Sequence, residues 1–287
     1  MGKERLDKIL VDLGYFDNKS KASAAILAGN VKINDEVITK SGFQIDPNKK
    51  LQIKIKSMPY VSRGGFKLEK ALKTFDVKVK DRICIDAGAS TGGFTDCLIQ
   101  NGAKKVYAVD VGYGQLAWKI RSDTRVKVIE KTNIKNCDFN DIYTQDDKIA
   151  NLLVADLSFI SIQKVLPNLK KLLTPDFQVS NAVGQVCPTY ITNFHELICL
   201  IKPQFEAGKD LIEKGGVVRN KDVHIDVINK VIEFAKSLDY KILDLTFSSI
   251  KGPSGNIEYL IHFATDGEIK SFLVEEIVNK AQEELRG

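Results

Sequence analysis

An open, doubly wound α/β sheet of seven strands, the last of them antiparallel, with a small basic α+β domain before it, is the fold this 287-residue sequence predicts. Three observations predict it. From residue 82 onward, short apolar runs alternate with helical stretches, the pattern of a parallel sheet clad by helices. The last two runs, Tyr240 to Ser248 and Ile257 to Phe263, are separated only by IKGPSGN, which is too short for a crossover helix, so they form an antiparallel hairpin. Residues 1–70 carry 14 Lys and Arg against 8 Asp and Glu, and the remainder carries 28 against 29, so the net charge of +5 is concentrated at the N-terminal end. A basic end on a near-neutral body suits a polyanion partner. A solvated Lys-rich face kept for solubility is the reading that charge alone leaves open beside it.

Composition sets the bounds. With 44% hydrophobic and 28% charged residues the chain can bury a globular core. The opening MGKERLDKIL has no apolar signal core, and no run approaches the roughly 18 apolar residues of a membrane span. Leu6 stands where a myristoylation signal at Gly2 needs Ser or Thr. Cys84, Cys97, Cys137, Cys187 and Cys199 are odd in number, widely spaced and without a CxxC pair. They read as reduced thiols of a cytoplasmic protein, with no disulfide frame and no metal site.

The first domain is expected over residues 1–58. In RLDKILVDLGYF, Leu6, Ile9, Leu10 and Leu13 recur at helical spacing, and Gly14 ends the helix. NKSKASAAILAGNVKIND gives a second helix with Ser20 as N-cap and Gly29 as stop, then a strand from Val31 to Ile33 and a turn at Asn34-Asp35. Arg5, Lys8, Lys19 and Lys21 can line the helical surface as phosphate contacts. The stretch from about Lys3 to Ile55 resembles the alpha-L RNA-binding module of a small-subunit ribosomal protein, pseudouridine synthases and a tyrosine synthetase. Lys21 stands where that module commonly has Arg, which keeps the charge and loses the bidentate fork.

Residues 59–65 read as a linker, with Pro59 interrupting regular structure and Gly64-Gly65 preceding a helix. The second domain is expected over 66–287. Its first helix carries Leu68, Ala71, Leu72 and Phe75 as an apolar stripe; Lys67, Lys70 and Lys73 lie off it, and such lysines are commonly just solvated. Strands follow near Arg82–Asp86, Lys105–Asp110, Val126–Glu130, Leu152–Asp156 and Leu197–Lys202, then the two of the hairpin.

DAGASTGGFTD, Asp86 to Asp96, falls at the carboxyl end of the first strand, where open α/β sheets bind ligands. It lacks the GK[ST] of a nucleoside triphosphate loop, and Ser90 breaks the G-x-G-x-x-G dinucleotide pattern. Gly88, Gly92 and Gly93 let the backbone approach a ligand. Asp86 sits just inside the loop, suited to an ammonium or a bridging water. Asp110 closes the second strand 24 residues later, placed to accept hydrogen bonds from two ribose hydroxyls. The antiparallel last strand is characteristic of class I methyltransferases, and with the two aspartates it favours S-adenosylmethionine as the cofactor.

The acceptor is read from strands four to seven. An exocyclic amine goes with an Asn/Asp-Pro-Pro-aromatic run after strand four, where this chain has ADLSFIS. A cytosine-C5 enzyme needs a nucleophilic cysteine; Cys187-Pro188 offers one, away from a strand terminus and without a partner thiol. A hydroxyl acceptor needs a group that orients it and removes its proton. Asp156 and Lys202 stand side by side at the sheet edge, Glu258 lies on the last strand, and Lys67 can fold over the same edge. Two lysines between two carboxylates can tune one amine below about 10.4. Taken singly, each residue is better read as an ordinary ion pair.

VSRGGFKLEKAL, DAGASTGGFTD, VDVGYGQLAW, VADLSFIS, IKPQFEAGK and GPSGNIEYL, in this order and spanning nearly the whole chain, closely resemble the TlyA family, often labelled hemolysins. Its members join an alpha-L RNA-binding domain to an FtsJ-like 2'-O-methyltransferase. The resemblance implies a catalytic tetrad of Lys67, Asp156, Lys202 and Glu258, with Lys202 nearest the transferred methyl. It implies cytidine ribose in ribosomal RNA, free or in subunits, as substrate. The expected cofactor set is Asp86, Gly88, Ala89, Ser90, Thr91, Gly92, Gly93, Asp110, Val111 and Asp156. One departure stands out: TPDFQVSNAVGQVCPTYITNFHE lengthens the interval between strands four and five, and either loops out or displaces Lys202. Two rival readings are a membrane-lytic protein, which no amphipathic hairpin, apolar span or export signal supports, and an RNA-binding assembly factor without catalysis.

Overall fold

The computed structural model describes residues 3–16, 18–27, 29–47, 51–55, 58–173 and 195–285, in two units, Met1–Pro59 and Tyr60–Gly287. The first holds β1 (Glu4–Arg5), α1 (Leu6–Asp12), α2 (Lys19–Leu27), β2 (Val31–Ile33), β3 (Glu36–Ile38), β4 (Gln44–Ile45) and β5 (Ile53–Ile55). β1 pairs with β4, and β2 lies between β3 and β5 in an antiparallel sheet. Leu6, Ile9 and Leu10 of α1 pack with Ala22 and Ile26 of α2 over Val31, Ile33, Ile38 and Ile45. Asn34 and Asp35 both have positive φ, 49° and 69°, as the tight turn of the β2–β3 hairpin requires. Ser20 is not the cap of α2. The helix starts one residue earlier, and the Asn18 side chain accepts the Lys21 N–H at 3.0 Å.

The second unit contains α3 (Gly64–Phe75), β6 (Ile83–Ala87), α4 (Gly93–Gln100), β7 (Lys105–Val109), α5 (Trp118–Arg121), β8 (Val126–Ile129), α6 (Phe139–Ile142), β9 (Leu152–Ala155), α7 (Leu166–Leu173), β10 (Glu196–Ile201), α8 (Pro203–Glu206), α9 (Lys221–Ser237), β11 (Lys241–Phe247), β12 (Tyr259–Ala264) and α10 (Val274–Glu284). Its sheet runs β11-β12-β10-β9-β6-β7-β8. β12 is antiparallel to both neighbours, and β10, β9, β6, β7 and β8 pair in parallel. The central strands are buried on both faces, with side chains alternating at period two. Cys84, Val106, Leu152 and Ile198 meet Leu68, Leu72 and Phe75 of α3 and Leu98 of α4. Ile85, Tyr107, Leu153, Leu197 and Ile261 face the opposite core with Val227, Ile228 and Val231 of α9. From β6 the chain turns one way to β7 and β8 and the other way to β9 and β10, so the strand order reverses between β6 and β9. Ligands bind at such a point.

Three details differ from the sequence reading. Asp86 lies within β6, opposite Ala108 and Val154, and is fully buried, because both neighbouring strands extend the ladder past it. Glu258 directly precedes β12, and its carbonyl accepts the Ser248 N–H at 2.8 Å. Residues 60–65, read as part of a linker, are built into the second unit. Tyr60 is buried edge-on against Phe66, and the Val61 N–H donates to Asp96 Oδ2 at 2.8 Å. A Cβ on Gly65 would strike the Tyr60 ring at 2.3 Å.

Candidate active site

Because β6, β9 and β10 are parallel neighbours, whatever follows each of them emerges on one edge of the sheet. The turn after β6 crosses the residue after β9: Asp156 N–H donates to Ala87 O at 3.1 Å, and a Cβ on Gly88 would meet Asp156 O at 2.7 Å. Gly88 has φ of 86°, so both backbone conformation and crowding exclude a side chain there. A Cβ on Gly93 would meet Ser62 Oγ at 2.2 Å. Both glycines therefore also allow the turn to pack closely on the protein itself.

Asp110 follows β7. Its Oδ2 accepts the Ser90 N–H at 2.7 Å and its Oδ1 the Gly112 N–H at 2.6 Å, which fixes the carboxylate at the turn with lone pairs to spare. Val111 beside it is 71% exposed. Asp86 Oδ2 accepts Thr95 Oγ1–H at 2.6 Å, whereas its Oδ1 is buried with no hydrogen-bond partner among the described residues. Burial pushes the Asp86 carboxyl up to about 7, against the Thr95 hydrogen bond.

The four tetrad candidates come together although 191 positions separate Lys67 from Glu258. Lys67 on α3 reaches Glu258 Oε2 at 2.7 Å and Asp156 Oδ2 at 3.2 Å, and Lys202 reaches Asp156 Oδ1 at 2.6 Å. Lys67, Lys202 and Glu258 are buried. Burial alone would depress the Lys67 ammonium, but Asp156 and Glu258 outweigh it and hold it above its ordinary value. Lys67 is therefore not an amine tuned downward. Burial works against the Asp156 carboxylate too, and the two lysines hold it below the usual range. Lys202 stands beside Asp156, so the lengthened interval does not carry β10 away from β9. Residues 174–194 of the lengthened interval, Cys187 among them, lie outside the described residues.

Sequence reasoning passed over several neighbours that its own motifs contain. In ADLSFIS, Ser158 Oγ accepts from Lys202 Nζ at 2.9 Å. Phe159 next to it has φ of 64°, is 90% exposed, and lies 5.1 Å from the Phe205 ring. A bulky residue in that conformation is strained, and such strain gathers at functional sites. In IKPQFEAGK, Gln204 Nε2 donates to Glu258 Oε1 at 3.3 Å. Glu206 accepts from Ser161 Oγ and from the Ile162 N–H, each at 2.6 Å, tying the segment after Lys202 to the one after Asp156.

One cavity of about 370 Å³ joins these parts. Gly88, Ala89, Ser90, Thr91 and Gly93 of the turn line it together with Lys67, Asp156 and Lys202. At the other end of the chain, Arg5, Lys8, Lys19 and Lys21 are all exposed on the first unit. Arg5 is committed to the buried Asp7, with bonds of 3.0 and 2.6 Å that, with Ser23, bring the Asp7 carboxyl to about 2. Lys8 pairs with Glu4 at 2.7 Å.

Comparison with known proteins gives two family matches, an FtsJ-like methyltransferase over residues 60–265 and an S4 domain over residues 4–51. The chain is 47% identical over 266 residues, 93% of its length and 87% of the relative's, to YqxC, a candidate rRNA methyltransferase of Bacillus subtilis. It is 36% identical over 282 residues, 97% of both chains, to a 16S/23S rRNA (cytidine-2'-O)-methyltransferase TlyA of Mycobacterium tuberculosis. The solved structure of a candidate hemolysin from Streptococcus thermophilus matches with a TM-score of 0.71 at 39% identity, over 99% of this chain and 97% of that one. Among the described residues, no helix is long and apolar enough to cross a membrane.

Proposed function

Because the chain belongs to the TlyA family, FtsJ-like methyltransferases that also carry an S4 domain, we propose that it methylates the ribose 2'-hydroxyl of a cytidine in ribosomal RNA, in the cytoplasm, with S-adenosylmethionine as donor. The observation that carries this reading is the cavity that the glycine turn shares with Lys67, Asp156 and Lys202. S-adenosylmethionine, when bound, supplies a methyl on a cationic sulfur, open to in-line displacement. This chain's residues fit it: the orphaned Asp86 oxygen suits an ammonium, and Asp110 suits a pair of ribose hydroxyls. Lys202, as the neutral amine, orients the acceptor hydroxyl and takes its proton as the new C–O bond forms and the methyl–sulfur bond breaks, and Asp156 steadies the ammonium that results. Lys67 and Glu258 hold Asp156 in place from the other side. Phe159, exposed next to Ser158 of the cavity lining, offers a face on which the target base can stack. The test is transfer of labelled methyl to unmodified ribosomal subunits and to rRNA extracted from them. Label in a 2'-O-methylcytidine is expected; no label, or label on a base, overturns the reading.

The Asp86 carboxyl sets the pH dependence of cofactor binding. Only its ionised form attracts an ammonium, so calorimetric affinity should rise with pH, by up to about tenfold per unit, until the carboxyl is ionised near 7, and then level off. Asp86→Asn should flatten that profile; a flat profile in the unaltered protein removes Asp86 from the role. For stability the sign is opposite. A carboxyl raised in the folded state contributes stability below its ordinary value, and that contribution is lost as pH rises through about 7.

For the S4 domain, the Arg5–Asp7 pair changes which substitutions are informative. Arg5→Ala strands a buried carboxylate and so mixes stability with binding. Lys19→Ala with Lys21→Ala should instead lower the slope of log affinity for rRNA against log salt by roughly 0.7–0.9 per lost phosphate contact. Cofactor affinity should stay as it was. An unaltered slope makes these lysines a solvated face.

A further inference from the structure

Beside the tetrad cavity lies a second hollow of about 450 Å³, between the outer face of α3 and the turn after β11. Phe66, Glu69, Lys70 and Lys73 line one wall and Ser249 and Ile250 the other. Ile250 lines both hollows, so they meet there. Lys70 is one helical turn from Lys67, and side chains at that spacing are neighbours on a helix surface.

The cations around this hollow differ in how they are satisfied. Lys73 pairs with Glu69 at 3.0 Å, and Lys270, which donates to Thr74 O in the last turn of α3, pairs with Asp244 at 3.0 Å. Lys70 has no carboxylate within ion-pair reach among the described residues. Its ammonium lies 3.2 Å from the centroid of the Phe247 ring, and the residue is half-buried. Glu284 and Lys280 of α10 act on it with opposite sign, and burial, the largest influence, depresses the amine. A cation partly stripped of water and held by an aromatic face lacks the counter-charge that buried charges ordinarily have. It opens onto a hollow that adjoins the proposed acceptor site. Solubility does not explain a lysine kept in that state.

Building on the proposed reading that the substrate is RNA, we infer that this hollow receives the strand flanking the target ribose, with Lys70 as the contact to one of its phosphodiesters. Phe66 and Ile250 give the flanking nucleotide an apolar floor, and the Ser249 hydroxyl, which donates to Phe66 O at 3.0 Å, closes the wall opposite α3. A ribose held only at the tetrad can pivot about the cavity mouth. A fixed phosphate one or two nucleotides away sets the direction in which the strand crosses it.

The test is Lys70→Met in the full chain, which keeps a long apolar stem against Phe247 and removes the charge, with Lys70→Arg as the charge-retaining partner and Lys230→Met on α9 as a control. Binding to unmodified ribosomal subunits and to extracted rRNA is measured from low to moderate salt, beside methylation kinetics, calorimetry with S-adenosylmethionine and a thermal melt. Lys70→Met should lower the salt slope by about 0.7–0.9 and raise KM for RNA several-fold, with kcat at saturating RNA and cofactor affinity unchanged; Lys70→Arg should restore the slope. If the unaltered protein methylates RNA and Lys70→Met keeps its slope, the hollow is not a phosphate subsite. A weaker binding with an unchanged slope also overturns the inference, since it assigns the hollow to a neutral contact such as a protein segment. If the unaltered protein neither binds nor methylates RNA, the proposed function fails first and the subsite with it.

Discussion

Replacing Lys202 with Ala is expected to cut single-turnover methyl transfer about 10²- to 10⁴-fold, the usual weight of a positioned proton-transfer group, while cofactor and RNA affinities stay near those of the unaltered protein. The geometry separates rate from stability here. Asp156 is shared, with one oxygen on Lys202 and the other on Lys67, so losing Lys202 leaves no carboxylate alone. Lys202→Arg refines the result. A guanidinium keeps the charge beside Asp156 but does not give up a proton in proteins. If Lys202 only positions the hydroxyl, Arg should recover part of the rate; if the proton must leave toward it, Arg should be as slow as Ala. A Lys202→Ala enzyme with the original single-turnover rate on ribosomal subunits removes Lys202 from the chemistry.

The strands were legible because most are short, largely apolar runs between polar or charged residues, and the long-range pairing follows from topology once their order is known. A parallel β6-β9-β10 neighbourhood places Gly88, Asp156 and Lys202 on one edge without any knowledge of side chains. The hairpin was legible from the brevity of IKGPSGN alone. Less accessible were features that depend on what a residue touches. Nothing in the spelling of Asp86 distinguishes a carboxylate in a loop from one buried within a strand, and that difference moves its titration to about 7. Nor could helical periodicity tell Lys70 from Lys73: both lie off the apolar stripe, yet Glu69 neutralises one and the Phe247 ring holds the other. Ser20 and Asn18 are both good caps by type, and only backbone geometry selects Asn18. Tyr60 reads as a linker residue because Pro59 precedes it, although its ring is core.

Lys67→Met should be the most destabilising of these substitutions, because it leaves Glu258, 1% exposed, with only the Gln204 amide at 3.3 Å among the described residues. Breaking one side of a buried ion pair costs about 3–5 kcal/mol, to be read from denaturant unfolding. Methyl transfer should fall as well, since Asp156 then has one lysine instead of two. The single variant cannot assign that loss, so the informative protein is Lys67→Met with Glu258→Gln. Removing both charges leaves no carboxylate stranded and should return much of the stability, as neutral replacement of buried pairs commonly does. If Lys67 and Glu258 hold Asp156 for chemistry, the rate should stay low in this stable double variant. If the pair is only structural, rate and stability should return together, and the tetrad shrinks to Asp156 and Lys202. The comparison belongs near neutral pH, where both shifts contribute in full. Stability from Asp156, whose carboxyl is lowered, is present above its ordinary value and fades as pH falls; that from Lys67, whose ammonium is raised, is present below its ordinary value and fades as pH climbs through the raised one.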